Sequence, residues 1–324
     1  MKDDAGRVLY TRRFPLMGGE AVVEFVDDGG TQRAERIARA VEAEATRIER
    51  KYSRYREASV VSEINRMAGR TPVAVDAETE MLVQAALDLA RMTDGRFDPT
   101  VGVLRRAWDF KGGRVPAQEE IDALLPFVSA DAVSIRDRTV FLRKAGMEVD
   151  LGGVGKEYAV DRAARILRDE GIASAIVNFA GDVRTVGSRG DGHPWKVGVV
   201  DPRNRERCRF AVRTLSDAGI ATSGDYARGF VRGGVRYHHI LDARTGWPAR
   251  GLSSVTVIAG SAFRAGRFAT AAFLLGAEAG LALIEGAAGI EGALITEAGS
   301  IVSTTGMAFL SDLPGGPWAA LQGF

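Results

Sequence analysis

Four short stretches of this chain hold residues that can do chemistry. The last of them, YHHILDARTGWP at 237–248, sets two of the three histidines side by side, with Asp242 just beyond. Side chains alternate along a strand, so only one of His238 and His239 can face a given cleft. His239 shares its parity with Leu241, and Asp242 stands on the turn where the strand should end. A histidine beside a carboxylate can accept a proton from a hydroxyl near neutral pH, which makes His239 the candidate base and Asp242 the group that orients it. A core or surface histidine pair fits the same residues. The third histidine, His193, lies in the distant loop RGDGHPW, and Cys208 is the one cysteine. Neither a histidine and cysteine metal cluster nor an intramolecular disulfide is therefore expected.

The stretch DLGGVGKEYAVD at 150–161 is more informative. A strand ending at Asp150 meets Gly152, Gly153 and Gly155, and a helix begins near Lys156. Exposed N–H groups and the positive end of a helix can receive phosphate oxygens, while bare carbonyls can face a metal. Lys156 would offer a point charge to a diphosphate. Neither GxGxxG nor GxxxxGK[ST] occurs, which argues against the two commonest nucleotide folds.

Upstream, Tyr52 to Arg56 bring two rings and two guanidinium forks into five residues. These suit stacking on a heterocycle and neutralising phosphate, and they also suit a solvated loop whose tyrosines cap the core. In TDGRFDPTVG at 93–102, Asp98-Pro99 fixes an extended turn, and Gly102 permits backbone geometry closed to other residues. Trp108, Asp109 and Phe110 follow. A structural turn packed under an aromatic pair is the plainer reading of that stretch.

The rest of the chain must position these groups. It has 324 residues with 46% hydrophobic and 26% charged, the balance of a soluble globular protein with ample core. Lys and Arg number 43 against 42 Asp and Glu, so a nucleic-acid reader driven by bulk positive charge is disfavoured. No apolar run reaches the roughly 20 residues of a spanning helix, and MKDDAGRVLYTRR carries neither a signal-like apolar segment nor a lipoprotein cysteine. No membrane insertion and a cytoplasmic location are expected.

Apolar spacing predicts a strand at 21–26 and a helix from Thr31 to about Lys51 whose inward side is Ile37, Val41, Ala45 and Ile48. A second helix, capped by Asp76 and carrying Met81, Leu82, Ala85, Ala86 and Leu89, stops near Thr93-Asp94-Gly95. Shorter elements follow: a helix at 118–125 and strands at 132–135 and 139–143. The helix at 157–170 turns Val160, Ala163, Ala164 and Leu167 inward. Strands are expected at 175–179, 195–200, 207–213, 235–241, 254–259, 291–296 and 300–303, and helices at 262–275 and 278–286. The fold class is mixed α/β (α+β), with largely antiparallel sheets and helices on the outer faces.

FDPTVG, DLGG-x-x-K, ATSGDY and HI-x-D-x-x-TG, in this order, resemble the ApbE family of FAD:protein FMN transferases. The resemblance covers about residues 12–311 and implies one domain, flanked by a short extension at 1–11 and a tail at 312–324, with one FAD cleft between two halves. It implies cleavage of FAD at its diphosphate with Mg²⁺, attachment of FMN to a threonine or serine hydroxyl of an acceptor flavoprotein, and release of AMP. A non-transferring FAD-binding protein, or an FAD pyrophosphatase yielding FMN and AMP, is the alternative. By the same resemblance Met17, Tyr55, Trp108, Asp109, Phe110, Asp150, Lys156 and Ile240 fall where FAD is held. Gly153, through its carbonyl, and Thr270 fall where the metal is held, and His239 where a base stands.

The chain departs from the family at telling places. The late A-D-A-L-x-T motif reads Ala265, Gly266, Arg267, Phe268, Ala269, Thr270, so the metal-binding aspartate is replaced by a glycine. Glu157 replaces a common glycine after the lysine, and Ala243 a proline. Loss of a carboxylate should weaken Mg²⁺ binding unless Glu157 reaches the ion or the FAD diphosphate holds it with more water.

Overall fold

A computed structural model describes residues 8–189, 193–213 and 216–309; the tail at 312–324 and most of the extension at 1–11 lie outside them. The chain opens with a hairpin, β1 (Val8–Leu16) and β2 (Gly19–Asp27), followed by α1 (Thr31–Tyr52), α2 (Val60–Arg66), β3 (Val73–Ala74) and α3 (Ala77–Met92). A 3-10 turn at Val101–Arg106 and α4 (Gln118–Leu124) lead into β4 (Val133–Arg136) and β5 (Thr139–Leu142). Next come α5 (Gly155–Asp169), β6 (Ala175–Phe179), β7 (Asp182–Val186), β8 (Lys196–Asp201) and β9 (Asn204–Arg213). The last part holds β10 (Gly219–Gly224), β11 (Gly229–Arg232), β12 (Val235–His238), β13 (Leu252–Ala259), α6 (Ala262–Leu275), α7 (Ala277–Glu285), β14 (Glu291–Thr296) and β15 (Ile301–Ser303).

Eight strands join in the order β1-β2-β6-β7-β10-β13-β14-β15, and neighbours run antiparallel throughout. Alternation then sorts side chains to two faces. On β6, Ala175, Val177 and Phe179 join Ile37, Val41 and Ile48 of α1 and Val160, Ala163 and Leu167 of α5. Ile176 points the other way, with Val183 and Ile220, into a cluster with Trp195, Val197, Phe210 and Val212 of the β8–β9 ribbon. Toward the far edge, Val255 and Val257 of β13 pack on Ala265, Ala269 and Phe273 of α6. A sheet covered on both faces needs no alternation to polar residues, which is why β7 and β13 are almost wholly buried.

The inward positions expected for α1 and α5 are all buried. Asp76 caps α3 as expected, its side chain accepting Thr79 N at 3.0 Å, although Met81 faces solvent. Other expectations fail. β1, β7, β10 and β11 carry no strand signal clear enough to be read, and the strand expected at 235–241 ends at His238. Gly102 has no positive φ. A Cβ there would stand 2.7 Å from a guanidinium nitrogen of Arg54 and 3.2 Å from Asp150 Cβ, so a side chain would press on the Arg54–Asp150 pair.

Candidate functional site

The β1–β2 hairpin turns through Met17 and Gly18, both at positive φ (50° and 78°), the signature of a two-residue mirror-type turn. Holding a methionine there costs backbone strain. Met17 is pinned on both sides: its N–H donates to Glu49 at 2.9 Å and its carbonyl accepts from Arg228 at 3.4 Å. Arg228 in turn holds His239, whose Nδ1 lies 3.2 Å from the Arg228 carbonyl.

A carbonyl only accepts, so Nδ1 of His239 carries the proton and Nε2 keeps its lone pair when the ring is neutral. Packing around the ring is the first cause that pushes its pKa down, aided by the charges of Arg228 and Lys156, although the residue remains solvent-accessible. His238 is different. It is buried, its Nε2 donates to the Ala249 carbonyl at 2.9 Å, and its Nδ1 accepts Ile240 N at 3.3 Å. Both nitrogens are used, so His238 is a structural residue. Ile240 follows it, half-buried against the α6 cluster.

Asp242 does not orient His239. Its carboxylate pairs with Arg96 at 2.7 Å and accepts Arg244 N at 3.0 Å, closing the turn that also bonds Gly246 N to its own carbonyl. A carboxylate committed to a guanidinium and a turn amide has no geometry left for the imidazole.

At the start of α5, Asp150 anchors a second group. Arg54 pairs with Asp150 at 2.9 Å and lies over the ring of Tyr55, its guanidinium 3.2 Å from the phenol oxygen. Tyr55 is thereby held although the residue is 73% exposed, whereas Tyr52 is buried against the core, so one tyrosine of this loop caps the core and the other stands open. Lys156 sits 2.6 Å from the buried Asp182. Burial opposes its charge, and Asp182 and Glu157 outweigh burial, so its pKa is raised.

Trp108 is buried, donates to the Gly246 carbonyl at 2.9 Å and stacks on Phe110 at 5.2 Å and 5°. Tyr237, Trp247 and Phe230 complete this aromatic wall. Asp109 stands apart from it, its carboxylate accepting Lys111 N and Gly112 N at 3.0 and 2.7 Å within its own turn.

Of the positions expected to hold a metal, Thr270 stands on α6 and Gly153 just ahead of α5, and these two helices pack together. Asp161 of α5 accepts Ala262 N and Phe263 N, each at 2.9 Å, and so locks the two helices in register. One turn earlier on α5 and one turn later on α6, Glu157 lies against Gly266. Thr270 shares its hydroxyl with Ser223 at 3.0 Å, and Gly153 packs under Phe97. Among the described residues no group of three or more His, Cys, Asp or Glu side chains is placed to hold a metal ion.

The ApbE family model matches residues 17–294. The chain belongs to the ApbE family. Relatives named FAD:protein FMN transferase include that of Vibrio cholerae, 31% identical with 84% of this chain and 83% of that one covered. The enzyme of Klebsiella pneumoniae is 33% identical, with 81% and 84% covered. The solved ApbE protein of Thermotoga maritima superposes with a TM-score of 0.84 at 37% identity, covering 92% of this chain and 97% of that one.

Against this ApbE frame, sequence reasoning missed the supporting residues. Arg96, Asp161, Asp182 and Arg228 each hold a residue of interest, and each lies inside a stretch already quoted or within two residues of a strand end, whereas Arg54, read as a guanidinium for phosphate, is paired with Asp150. Asp182 alone had a readable signal: an acid within the apolar run AIVNFAGDVRTV, where only a buried partner could tolerate it. Among the described residues no helix is long and apolar enough to cross a membrane.

Proposed function

We propose that this chain, acting through one domain at about 12–311, transfers FMN from FAD to a serine or threonine hydroxyl of an acceptor protein and releases AMP. The observation that carries the reading is the open Nε2 of His239, on a ring held by the same Arg228 that ties down Met17. The acceptor oxygen bonds to the phosphorus nearer riboflavin, the bond from that phosphorus to the AMP oxygen breaks, and the hydroxyl proton passes to His239 Nε2. A depressed pKa suits that role, because the ring stays unprotonated at neutral pH. Lys156, the glycine turn before α5 and Arg228 offer positive charge and N–H groups to the diphosphate, while Tyr55 and the Trp108–Phe110 wall offer faces to the rings. Bound Mg²⁺ would neutralise diphosphate charge, with Thr270 and the Gly153 carbonyl as donors from this chain.

The test is incubation with FAD, Mg²⁺ and an acceptor domain bearing an exposed threonine or serine. Equal amounts of FMN adduct, read by intact mass, and of AMP are expected. AMP with free FMN and no adduct would make the protein an FAD pyrophosphatase. Neither product would leave a flavin-binding module.

A further inference from the structure

Glu157 is an anomaly that the reaction described so far does not use. Its side chain is more than nine-tenths buried, and Oε2 has no hydrogen-bond partner among the described residues. Native proteins rarely leave a buried carboxylate oxygen unpartnered, because its desolvation is not offset. The neighbouring helix accommodates it at a cost of its own. Position 266 lies inside α6, where glycine is about 1 kcal/mol worse than alanine. Yet a Cβ there would stand 2.5 Å from Glu157 Cγ and 2.6 Å from Oε1, so only glycine leaves room for the carboxylate.

The helix register says what surrounds that room. Asp161 opposite Ala262 and Glu157 opposite Gly266 define an antiparallel step of one turn on each helix. Thr270 lies one turn beyond Gly266 on α6, and Gly153 stands two residues ahead of α5. The family resemblance assigns the Gly153 carbonyl and the Thr270 hydroxyl to a metal, and Glu157 adds a buried carboxylate on the same pair of packed helices, all of them hard oxygen donors. One carboxylate with few other protein donors is what Mg²⁺ commonly takes from a protein when substrate phosphates and waters supply the rest.

We propose that Glu157 of α5, seated in the space left by Gly266 of α6, is the anionic protein ligand of the divalent cation in this site. It takes from the facing helix the role of the carboxylate that α6 lacks. The inference rests on the proposed function, and its test reads cation binding apart from turnover. Mn²⁺ is titrated into the purified full chain with and without FAD and followed by electron paramagnetic resonance, for wild type, for Glu157→Gln, and for the double exchange Glu157→Gly with Gly266→Asp. FAD affinity is measured in parallel.

Glu157→Gln should weaken Mn²⁺ binding at least 10-fold while FAD affinity without metal stays within about 3-fold. The double exchange should regain most of that loss, since it moves the carboxylate to the other helix. Gly266→Asp alone, titrated in the same way, should bind Mn²⁺ no more tightly than wild type and should melt at lower temperature, because two side chains then compete for one space. Mn²⁺ affinity within 2-fold of wild type in a folded Glu157→Gln protein would overturn the proposal, as would a wild type that binds no Mn²⁺. Loss of FAD binding by the wild type would instead sink the transferase reading.

Discussion

The two sides of α5 treat buried charge in opposite ways. Tyr158 faces α1 and α3, where its hydroxyl donates to Glu78 at 2.8 Å. Glu78 also receives Arg47 at 2.6 Å and Lys51 at 2.6 Å, and Arg47 and Arg162 both reach Glu44. Each carboxylate there is closed by donors. Glu157, the preceding residue, faces α6 with an oxygen that no donor among the described residues closes. The pKa directions follow. Burial and the nearby Asp182 push Glu157 up to about 8. Burial acts on Glu78 too, but Arg47, Lys51 and Tyr158 outweigh it and hold the carboxyl below its ordinary value. Donors thus hold Glu78 toward its charged form, and their absence among the described residues leaves Glu157 pushed toward its neutral form. The histidines repeat the contrast, His238 with both nitrogens used and His239 with one left open.

The largest expected effect tests the open side. His239→Ala should cut FMN transfer by about 10² or more if Nε2 takes the proton. FAD affinity should stay within a few-fold and the melting temperature should hold, since among the described residues the ring's one hydrogen bond is to a backbone carbonyl near the surface. An equal loss of binding and turnover would move His239 to the closed, structural class.

On the closed side the effect should fall on stability alone. Glu78→Ala leaves the Tyr158 hydroxyl without its acceptor and two cations short of a partner, at a cost of about 2 kcal/mol for a partly accessible cluster. Chemical denaturation should register that loss while the single-turnover rate of transfer is unchanged. A drop in rate with unaltered stability would show that the network serves the site directly.

The same network sets a pH dependence of known sign. Burial opposes the charge of Asp76, but Lys51 and Thr79 hold its pKa down to about 2 against an ordinary 3.8. Glu78 is likewise held below 4.5. Folded values below unfolded ones mean that this stabilisation is present above the unfolded pKa values, near pH 4 to 4.5, and is lost as pH falls through the folded ones. Wild type should therefore be more stable than Glu78→Gln at pH 7, and the gap should narrow steadily as pH falls below about 4.5. A gap that stays constant across that range would remove the charge from the account.

How far the sequence foretells this contrast differs between the two sides. α1 and α5 are legible because apolar residues recur at helical spacing in a charged background, and Ile37, Val41, Val160 and Leu167 are buried as expected. β7 and β10 are not, because DVRTV and GIATSG owe their strand form to partners on both sides within the sheet. His239 could be picked by strand parity, but its actual partner is a backbone carbonyl, which leaves no residue type to read. Glu157 and Gly266 lie far apart in the chain, and only departures from the family motifs marked them. Their contact needed the α5–α6 register that Asp161 fixes.

The smallest effect should come from Asp242, which lies at the border between the two kinds of region. Were it the residue that orients His239, its loss would fix the wrong tautomer and cost orders of magnitude in rate. Instead Arg96 and the amide of Arg244 occupy it, and the tautomer of His239 is set by the Arg228 carbonyl. Asp242→Asn keeps an oxygen for the Arg244 amide and loses only the charge of a pair whose Arg96 side chain is 38% exposed, worth at most about 1 kcal/mol. Transfer should therefore fall no more than a few-fold, and the acid limb of its pH profile, which reports His239, should not move. A limb displaced toward lower pH by loss of the carboxylate, with turnover down 100-fold, would mean that the turn reorganises to bring Asp242 to the imidazole when FAD binds.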